Sequence, residues 1–236
     1  MKSIYLYDDE IGKVDYVQHM GSDLTVVNSA RVSFGVEKQE LDNKDKRLIN
    51  YLIKHKHTST LEHCSVTFRF TVPLFVRSQH HRHRTWSYNE ISRRYTSKDL
   101  QFYCPSSFRT QHDSNRQASN ENELIDPVIL PDLHDIGYGT TASMLVSRLT
   151  KENVKLFNML LKSGVCREQA RMVLPQNLYT EYYGTVNLGN LLKFIDLRTH
   201  EGAQWEIQQL AKACLEIATE LWPATVKSYR NLRGVE

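Results

Sequence analysis

The clearest strand in this sequence is CSVTFRFTV, residues 64–72. Polar and apolar residues alternate along it, and its apolar members are mostly β-branched or aromatic, which is typical of a strand with one face in a core. Pro73 ends the strand, because proline lacks the backbone donor that a sheet needs but fits the first turn of a helix. Apolar residues from Leu74 onward recur at helical spacing. We therefore expect a helix that runs on into residues 82–95.

Further helices and strands are predicted on both sides of this strand. Short strands are expected within residues 11–32, and a helix over residues 42–56 begins at a capping Asp42 or Asn43. The Tyr- and Thr-rich residues 178–186 predict another strand. Helical spacing recurs in the later segments 140–161, 165–173, 191–197 and 203–221.

The order of these elements indicates a mixed α/β or α+β fold, with a central sheet flanked by helices. A chain of 236 residues with 40% apolar content can bury a core, so we expect one catalytic domain over residues 1–236. Residues 106–135 are polar and lack periodicity, which predicts a surface excursion or mobile loop. The regular βαβ alternation and Gly-rich turn of a dinucleotide-binding (Rossmann) fold are missing.

Positive charge is concentrated in one part of the chain. The formal net charge is only +3, which argues against a surface that binds polyanions everywhere. Residues 77–98 nevertheless contain six Lys or Arg and one acidic residue, Glu90. This local excess predicts a focused site for an anion.

The densest polar segment is RHRTWSYNEISRRY, residues 82–95. It contains four arginines, a histidine, a carboxylate, an amide and two serines. A core segment is excluded, because each buried unpaired charge costs several kcal/mol. The arginine guanidinium offers a fixed fork of donors that matches phosphate. The segment therefore predicts a site for one or more phosphorylated ligands.

The same segment resembles the signature of the flavin-dependent (alternative) thymidylate synthases. Arg-His-Arg, seven residues and Ser fit residues 82–84 and Ser92. Other matches within the segment are Ser87, Asn89, Glu90, Arg94 and Tyr95. Segments elsewhere that resemble the family are 30–33, 57–63, 170–175, 185–187, 197–198 and 203–207. Departures from the family pattern are Arg93, Gly189 and Lys193.

This resemblance implies a mixed α+β fold of the family's type and a set of ligand-binding residues. For deoxyuridine monophosphate (dUMP) they are Gln79, Arg82, Glu90, Ser92, Arg93, Arg94, Arg171 and Arg198. For FAD they are Ser33, His57, Ser59, Glu62, Arg82, His83, Arg84, Asn89, Glu90, Asn187 and Lys193. On sequence alone, Ser92 is nearly as well explained as the cap of a turn.

The resemblance also implies the reaction. It is the reductive methylation of dUMP to dTMP, with 5,10-methylenetetrahydrofolate as carbon donor and FAD reduced by NADPH as hydride source. The family works as a homotetramer with shared active sites. The resemblance implies that neither a membrane nor a nucleic acid is a partner.

Arg198 is the expected catalytic residue. Methylating the 5-carbon of uracil requires that this carbon become nucleophilic, either through a cysteine adduct or through a cation that polarises the ring carbonyl. The cysteines Cys64, Cys104, Cys166 and Cys214 lie in no setting that would lower a thiol pKa. Because they are also scattered and no secretory signal precedes them, we expect a cytoplasmic protein with reduced thiols.

A metal site and a nucleic-acid site are the two alternatives to this interpretation. Arg82 and Arg84 flank His83 and would repel a metal cation, so no metal is expected. The alternative function is a single-stranded nucleic-acid-binding protein, whose residues 80–95 would use Trp86 and neighbouring tyrosines as stacking platforms. A purified protein with the yellow colour of flavin would favour the enzyme.

Overall fold

A computed structural model describes residues 2–129 and 140–233 of the chain. An antiparallel sheet of five strands lies at its centre, in the order β1-β2-β3-β7-β4. These strands are β1 (Ser3–Tyr5), β2 (Lys13–Met20), β3 (Ser65–Pro73), β4 (Ser87–Glu90) and β7 (Tyr179–Asn187). A separate hairpin consists of β5 (Phe108–Gln111) and β6 (Ser119–Ile125).

Helices flank the sheet. In the described ranges they are α1 (Asp23–Arg31), α2 (Asn43–Lys54), α3 (Leu74–His80), α4 (Ala142–Lys162), α5 (Arg167–Ala170), α6 (Leu188–Arg198), α7 (Trp205–Leu221) and α8 (Pro223–Arg233). Short 3₁₀ turns cover Val32–Phe34, Thr58–Leu61 and Arg171–Val173. The mixed α+β fold with a central sheet is thereby confirmed. No described helix is both long and apolar enough to cross a membrane.

Strand β3, which the sequence predicted as a strand, is the middle strand of the sheet. It pairs with β2 on one side and with β7 on the other, so its backbone groups are satisfied along most of its length. Phe68 and Phe70 are fully buried in the main core, which also includes residues of α6 and α7 such as Phe194 and Ile207. Pro73 is both the last residue of β3 and the N-cap of α3. The strand therefore delivers the chain directly to the polar segment 82–95.

The predicted helix does not continue into that segment. Helix α3 ends at His80, and a turn leads to the edge strand β4. The turn is closed by backbone bonds from Arg82 N to Gln79 O and from Trp86 N to His83 O. Trp86 is 6% exposed, so its burial against the sheet draws the chain out of the helical path.

Residues 23–31 form a helix, although short strands were expected there. Strand β2 was anticipated, but the following apolar run forms α1. The Ser22 backbone N–H donates to the Thr25 hydroxyl, and the Asp23 carboxylate accepts the backbone N–H groups of Ala224 and Thr225. The Asp23 contacts join α1 to α8. Tertiary packing thus overrides the strand preference of the β-branched residues in α1.

The remaining differences are smaller. The described part of residues 106–135 contains the β5–β6 hairpin where a loop was expected, and residues 130–135 lie outside the described residues. The helix expected over 165–173 is a single turn, α5, followed by a 3₁₀ turn. Helix α6 starts three residues earlier than predicted, and α8 was not predicted. The helix capped by Asp42 is confirmed, since that side chain accepts the Lys44 and Asp45 N–H groups.

Candidate functional site

A cavity of about 760 Å³ lies where β4 ends and β7 begins. Predicted nucleotide-binding residues in its wall are Glu90, Ser92, Arg93, Arg94 and Arg171. They come from two distant parts of the sequence, and the antiparallel pairing of β4 with β7 brings them together. We call this region, at Tyr179 and Thr180, the cavity end of β7.

Glu90 is held in the cavity wall by two neighbours. The Thr180 hydroxyl donates to Glu90 Oε1 at 2.7 Å, and Arg77 Nε lies 3.1 Å from the same oxygen. Arg77 and Thr180 line the cavity but were not among the predicted site residues. The signal that could have revealed Arg77 is the arginine-rich run itself, which begins at this residue.

The Arg93 side chain is held by backbone carbonyl groups of the protein. Its guanidinium donates to the backbone carbonyl of Lys98 at 2.8 Å and lies 3.5 Å from that of Tyr179. Burial lowers the pKa of Arg93, although the group remains a cation at neutral pH. Arg93, which departs from the family pattern, therefore shapes the cavity wall. Its contact with a ligand stays a prediction.

Arg94 and Arg171 are exposed side chains of the same cavity. The Arg94 guanidinium lies 5.4 Å from the centre of the Tyr95 ring, and Arg171 Nε donates to a backbone carbonyl at 3.3 Å. Ser92 Oγ accepts the Arg94 backbone N–H at 3.3 Å, so this hydroxyl both caps the turn and lines the cavity. Four arginines and two glutamates line the cavity altogether, which gives it a positive charge suited to a phosphate.

A second group of predicted residues meets at the opposite end of β7. Arg198, the last residue of α6, donates through Nε to His83 Nε2 at 3.0 Å. Burial and the neighbouring guanidinium lower the pKa of His83 to about 4, so the imidazole is neutral and accepts this bond. Burial also lowers the pKa of Arg198. The two terminal nitrogens of Arg198 bond to no residue in the described ranges, which leaves them available to a ligand.

Several other residues predicted to bind FAD lie near the start of α6, where β7 ends. His57, Ser59 and Glu62 are exposed in or beside the 3₁₀ turn at 58–61, against which α6 packs. Asn187 caps α6, since its Oδ1 accepts the Asn190 N–H at 2.9 Å. Other exposed members of the predicted set are Ser33, Arg82, Arg84, Asn89 and Lys193. We call this region, with His83 and Arg198, the Arg198 end of β7.

The two ends are well separated. Thr180 at one end and Asn187 at the other are seven residues apart in β7, which spans about 23 Å at the usual strand rise. Of the residues predicted to bind dUMP, Gln79, Arg82 and Arg198 do not line the cavity. Gln79 instead donates a hydrogen bond to the Gln204 side chain. A single chain thus brings together most, but not all, of the predicted nucleotide-binding residues.

A layer of aromatic side chains supports the turn at residues 82–84. His80 is fully buried with its Nδ1 2.8 Å from the Tyr182 hydroxyl, and burial lowers its pKa well below the ordinary value. The Tyr88 hydroxyl donates to the backbone carbonyls of His80 and His83. Gly184 leaves room for this layer, because a Cβ at that position would lie 2.8 Å from the Phe70 ring and 3.2 Å from the Trp86 ring.

This aromatic layer weakens the nucleic-acid interpretation. Trp86 is 6% exposed and Tyr88 is half-buried against the His81 ring at 4.1 Å, so neither offers a free face for base stacking. Tyr95 is the exposed one of the three, at 79%.

The described ranges assemble no metal site, and burial raises the pKa of three of the four thiols, Cys64, Cys104 and Cys214. No group of three or more His, Cys, Asp or Glu residues is arranged there to hold a metal ion. Cys64 and Cys214 are buried, and burial raises the pKa of Cys64 to about 11. Burial also raises the pKa of Cys104.

Comparisons with known proteins identify the family and support the fold. The profile of the family described as "Thymidylate synthase complementing protein" matches residues 15–224. The chain is 43% identical to a flavin-dependent thymidylate synthase of Thermus thermophilus, over 90% of this chain and 73% of that one. It is 38% identical to the enzyme of the same name from Thermotoga neapolitana, over 92% and 90% of the two chains. The structure of the UMP/dUMP methylase PolB from Streptomyces cacaoi, bound with 5-Br dUMP, has a similar fold, with a TM-score of 0.78 at 30% identity over 97% of both chains.

Proposed function

The chain belongs to the family of flavin-dependent thymidylate synthases, and we propose that it methylates dUMP to dTMP with FAD, NADPH and 5,10-methylenetetrahydrofolate. The observation that carries this proposal is the cavity whose wall combines four arginines with the Ser92 hydroxyl. A phosphate monoester is a dianion at neutral pH, and guanidinium forks bind it through paired charge-assisted hydrogen bonds. Arg94 and Arg171 are the arginines of the cavity with the greatest exposure, so they would bind the phosphate of dUMP.

The Arg198 end has the donors that FAD needs. Arg82, Arg84 and Lys193 are exposed and form no ion pair within the described ranges, so their charges fit the diphosphate of a dinucleotide. The Asn187 amide and the Ser59 hydroxyl add neutral donors nearby. Bound FAD supplies the hydride that completes the methyl group.

Arg198 is suited to activating the uracil ring. Its Nε bond to the neutral His83 holds the guanidinium plane, and two nitrogens remain to donate to a ring carbonyl oxygen. Negative charge develops on that oxygen as the 5-carbon becomes nucleophilic, and fixed donors stabilise it by a few kcal/mol each. Burial raises the pKa of Cys64, Cys104 and Cys214, which argues against these three thiols as nucleophiles in the alternative route through a cysteine adduct.

Two copies of the chain would complete one site. Arg198 does not line the nucleotide cavity and contacts His83 instead, whereas the reaction requires the nucleotide ring, the flavin and Arg198 to be in contact. We therefore propose a homotetramer in which the cavity of one subunit faces the Arg198 end of another. This arrangement also explains why the dUMP-binding residues divide into two groups.

Mixing two inactive variants tests the whole proposal. Arg171→Ala damages the cavity and Arg198→Ala damages the opposite end, so each variant alone is expected to form almost no dTMP from dUMP. In mixed oligomers with shared sites, about a quarter of the sites combine two intact halves and regain activity. Sites built within one chain would show no recovery, because every chain carries one lesion. Wild-type protein that is colourless and forms no dTMP would refute the proposed reaction itself.

A further inference from the structure

One buried carboxylate has no role in the chemistry above. Glu206, near the start of α7, is 4% exposed. It forms an ion pair with Arg109 of the β5–β6 hairpin, and its Oε2 accepts a hydrogen bond of 2.8 Å from Gln204 Nε2. The Tyr103 hydroxyl lies 3.5 Å from Oε1. A carboxylate paired with a guanidinium can only accept hydrogen bonds.

This acceptor fixes the orientation of two amides in series. Gln204 must turn its NH₂ group towards Glu206, so its carbonyl oxygen faces Gln79. Gln79 must then donate through its own NH₂ group to that oxygen. The carbonyl oxygen of Gln79 is left at the end of the chain of bonds, and no residue in the described ranges donates to it.

The hairpin supplies the positive charge that pairs with Glu206 inside the protein. Arg109 is held in place by its Nε bond of 3.1 Å to Ser119 Oγ in β6, and its guanidinium lies 4.8 Å from the Trp205 ring centre. Removing this partner would leave a buried charge unpaired, which is strongly unfavourable. The hairpin thereby acts on Gln79 through two intermediate side chains.

We propose that Glu206, Gln204 and Arg109 are positioning residues that make Gln79 present a hydrogen-bond acceptor to the nucleotide. The inference rests on the proposed function, in which Gln79 binds dUMP. The matching donor on dUMP is either the imide N3–H of the ring or the sugar 3′-hydroxyl. In both cases the polarity of the Gln79 amide selects a ligand donor and rejects a ligand acceptor.

The direct test is Glu206→Gln, which keeps the size of the side chain. An amide at this position can donate as well as accept, so Gln204 and Gln79 lose their fixed orientation. We expect the dissociation constant of dUMP to rise about tenfold, the equivalent of one hydrogen bond. KM for dUMP should rise with little change in kcat, and the dissociation constant of FAD should stay the same.

Asp23→Asn is the matched control. Asp23 is also a buried carboxylate, but it accepts backbone N–H groups of α8 and has no bond to Gln79. We expect both variants to melt at lower temperature and only Glu206→Gln to bind dUMP more weakly. Gln204→Met breaks the relay without a change of charge and replaces Glu206→Gln if that variant does not fold.

Two dUMP analogues identify the donor. N3-methyl-dUMP lacks the imide N–H, and 2′,3′-dideoxyuridine monophosphate lacks the sugar hydroxyl. The analogue without the recognised donor should bind wild type more weakly than dUMP does, and this penalty should disappear in Glu206→Gln. An unchanged dUMP dissociation constant in folded Glu206→Gln, or a penalty that persists for both analogues, would overturn the relay while the proposed function stands. Wild type that does not bind dUMP would overturn both.

Discussion

Both ends of β7 combine fixed and exposed arginines, but in different proportions. At the cavity end, Arg77 and Arg93 are half-buried and bond to the protein's own groups, so the cavity is shaped before any ligand arrives. At the Arg198 end, Arg82 and Arg84 are exposed and make no ion pair within the described ranges. The cavity also has the exposed Arg94 and Arg171, and Arg198 is fixed by His83. The cavity wall is therefore preorganised by two arginines, and the other end by one.

In the proposed function, one sheet serves two ligands. Strand β4 lies along the edge of the sheet, so residues 82–84 fall at one end of it and residues 90–94 at the other. A continuous signature in the sequence is therefore divided between two sites in space. Mutations on either side of β4 are expected to affect different ligands.

The largest effect is expected from Arg198→Lys. Lysine keeps the charge but loses the planar pair of donors, so the methylation step should slow by on the order of 2–4 kcal/mol, or about 30- to 1,000-fold. Reduction of the flavin by NADPH should change far less, because this half-reaction does not use the polarised carbonyl. Stopped-flow measurement of both half-reactions decides the matter, and equal slowing of the two would remove Arg198 from the activating role.

Arg94→Ala is expected to act on the cavity end alone. Loss of one charge-assisted hydrogen bond to phosphate should weaken dUMP binding about 10- to 100-fold. FAD affinity, measured by titration of flavin absorbance, should remain that of wild type. Arg116→Ala, which removes an exposed arginine of the hairpin loop, is the control for a general effect of charge. Equal dUMP affinity in Arg94→Ala and this control would place the phosphate elsewhere.

Arg84→Ala is the reciprocal experiment at the Arg198 end. We expect FAD affinity to fall about tenfold while dUMP affinity is preserved, because the side chain lies beyond the other end of β4. Circular dichroism checks that the variant is folded. A variant that stays yellow and titrates with FAD like wild type would separate Arg84 from the cofactor.

The Arg198 end should also respond to acid through His83. Its pKa is lowered from 6.5 to about 4, so folding favours the neutral imidazole. The resulting stability is complete above pH 6.5 and is lost as the pH falls towards 4, where the unfolded chain binds more protons. Urea denaturation over this range should give a shallower decline for His83→Gln than for wild type, with the buried His80 still contributing in both. Identical slopes would contradict the lowered pKa of His83.

The smallest effect is expected from removing the thiols. Replacing Cys64 and Cys214 by Ala, and Cys104 and Cys166 by Ser, should leave methylation within about threefold of wild type, since neither end depends on a thiolate. Formation of dTMP is the measurement. Complete loss of methylation in a folded variant that still binds dUMP and FAD would restore the cysteine route.

Local sequence patterns predicted the helices and strands in which buried residues recur at regular spacing. Strand β3 and the helix capped by Asp42 follow from alternation and from capping, both of which are short-range. The prediction for the α1 segment was wrong because its apolar, β-branched run resembles a strand, and the contacts of Asp23 with α8 are about 200 residues away in sequence. Such long-range partners cannot be read from local spacing.

The site shows the same limit. The signature identified residues 82–95, but the turn after His80 that sends its arginines to both ends of β4 depends on the burial of Trp86. Arg77 was missed as a cavity residue because only the pairing of β4 with β7 places Glu90 and Thr180 beside it. The assignment of ligands to these residues remains a prediction.

Gly184 sets a limit on how this family member can diverge. Any side chain there would collide with the Phe70 and Trp86 rings, and Trp86 holds the turn that directs the arginines. A side chain at position 184 is therefore expected only together with a smaller residue at position 70, whose ring is the nearer of the two. A directed-evolution library that varies the edge of the sheet would do best to leave both positions fixed, or to mutate them as a pair.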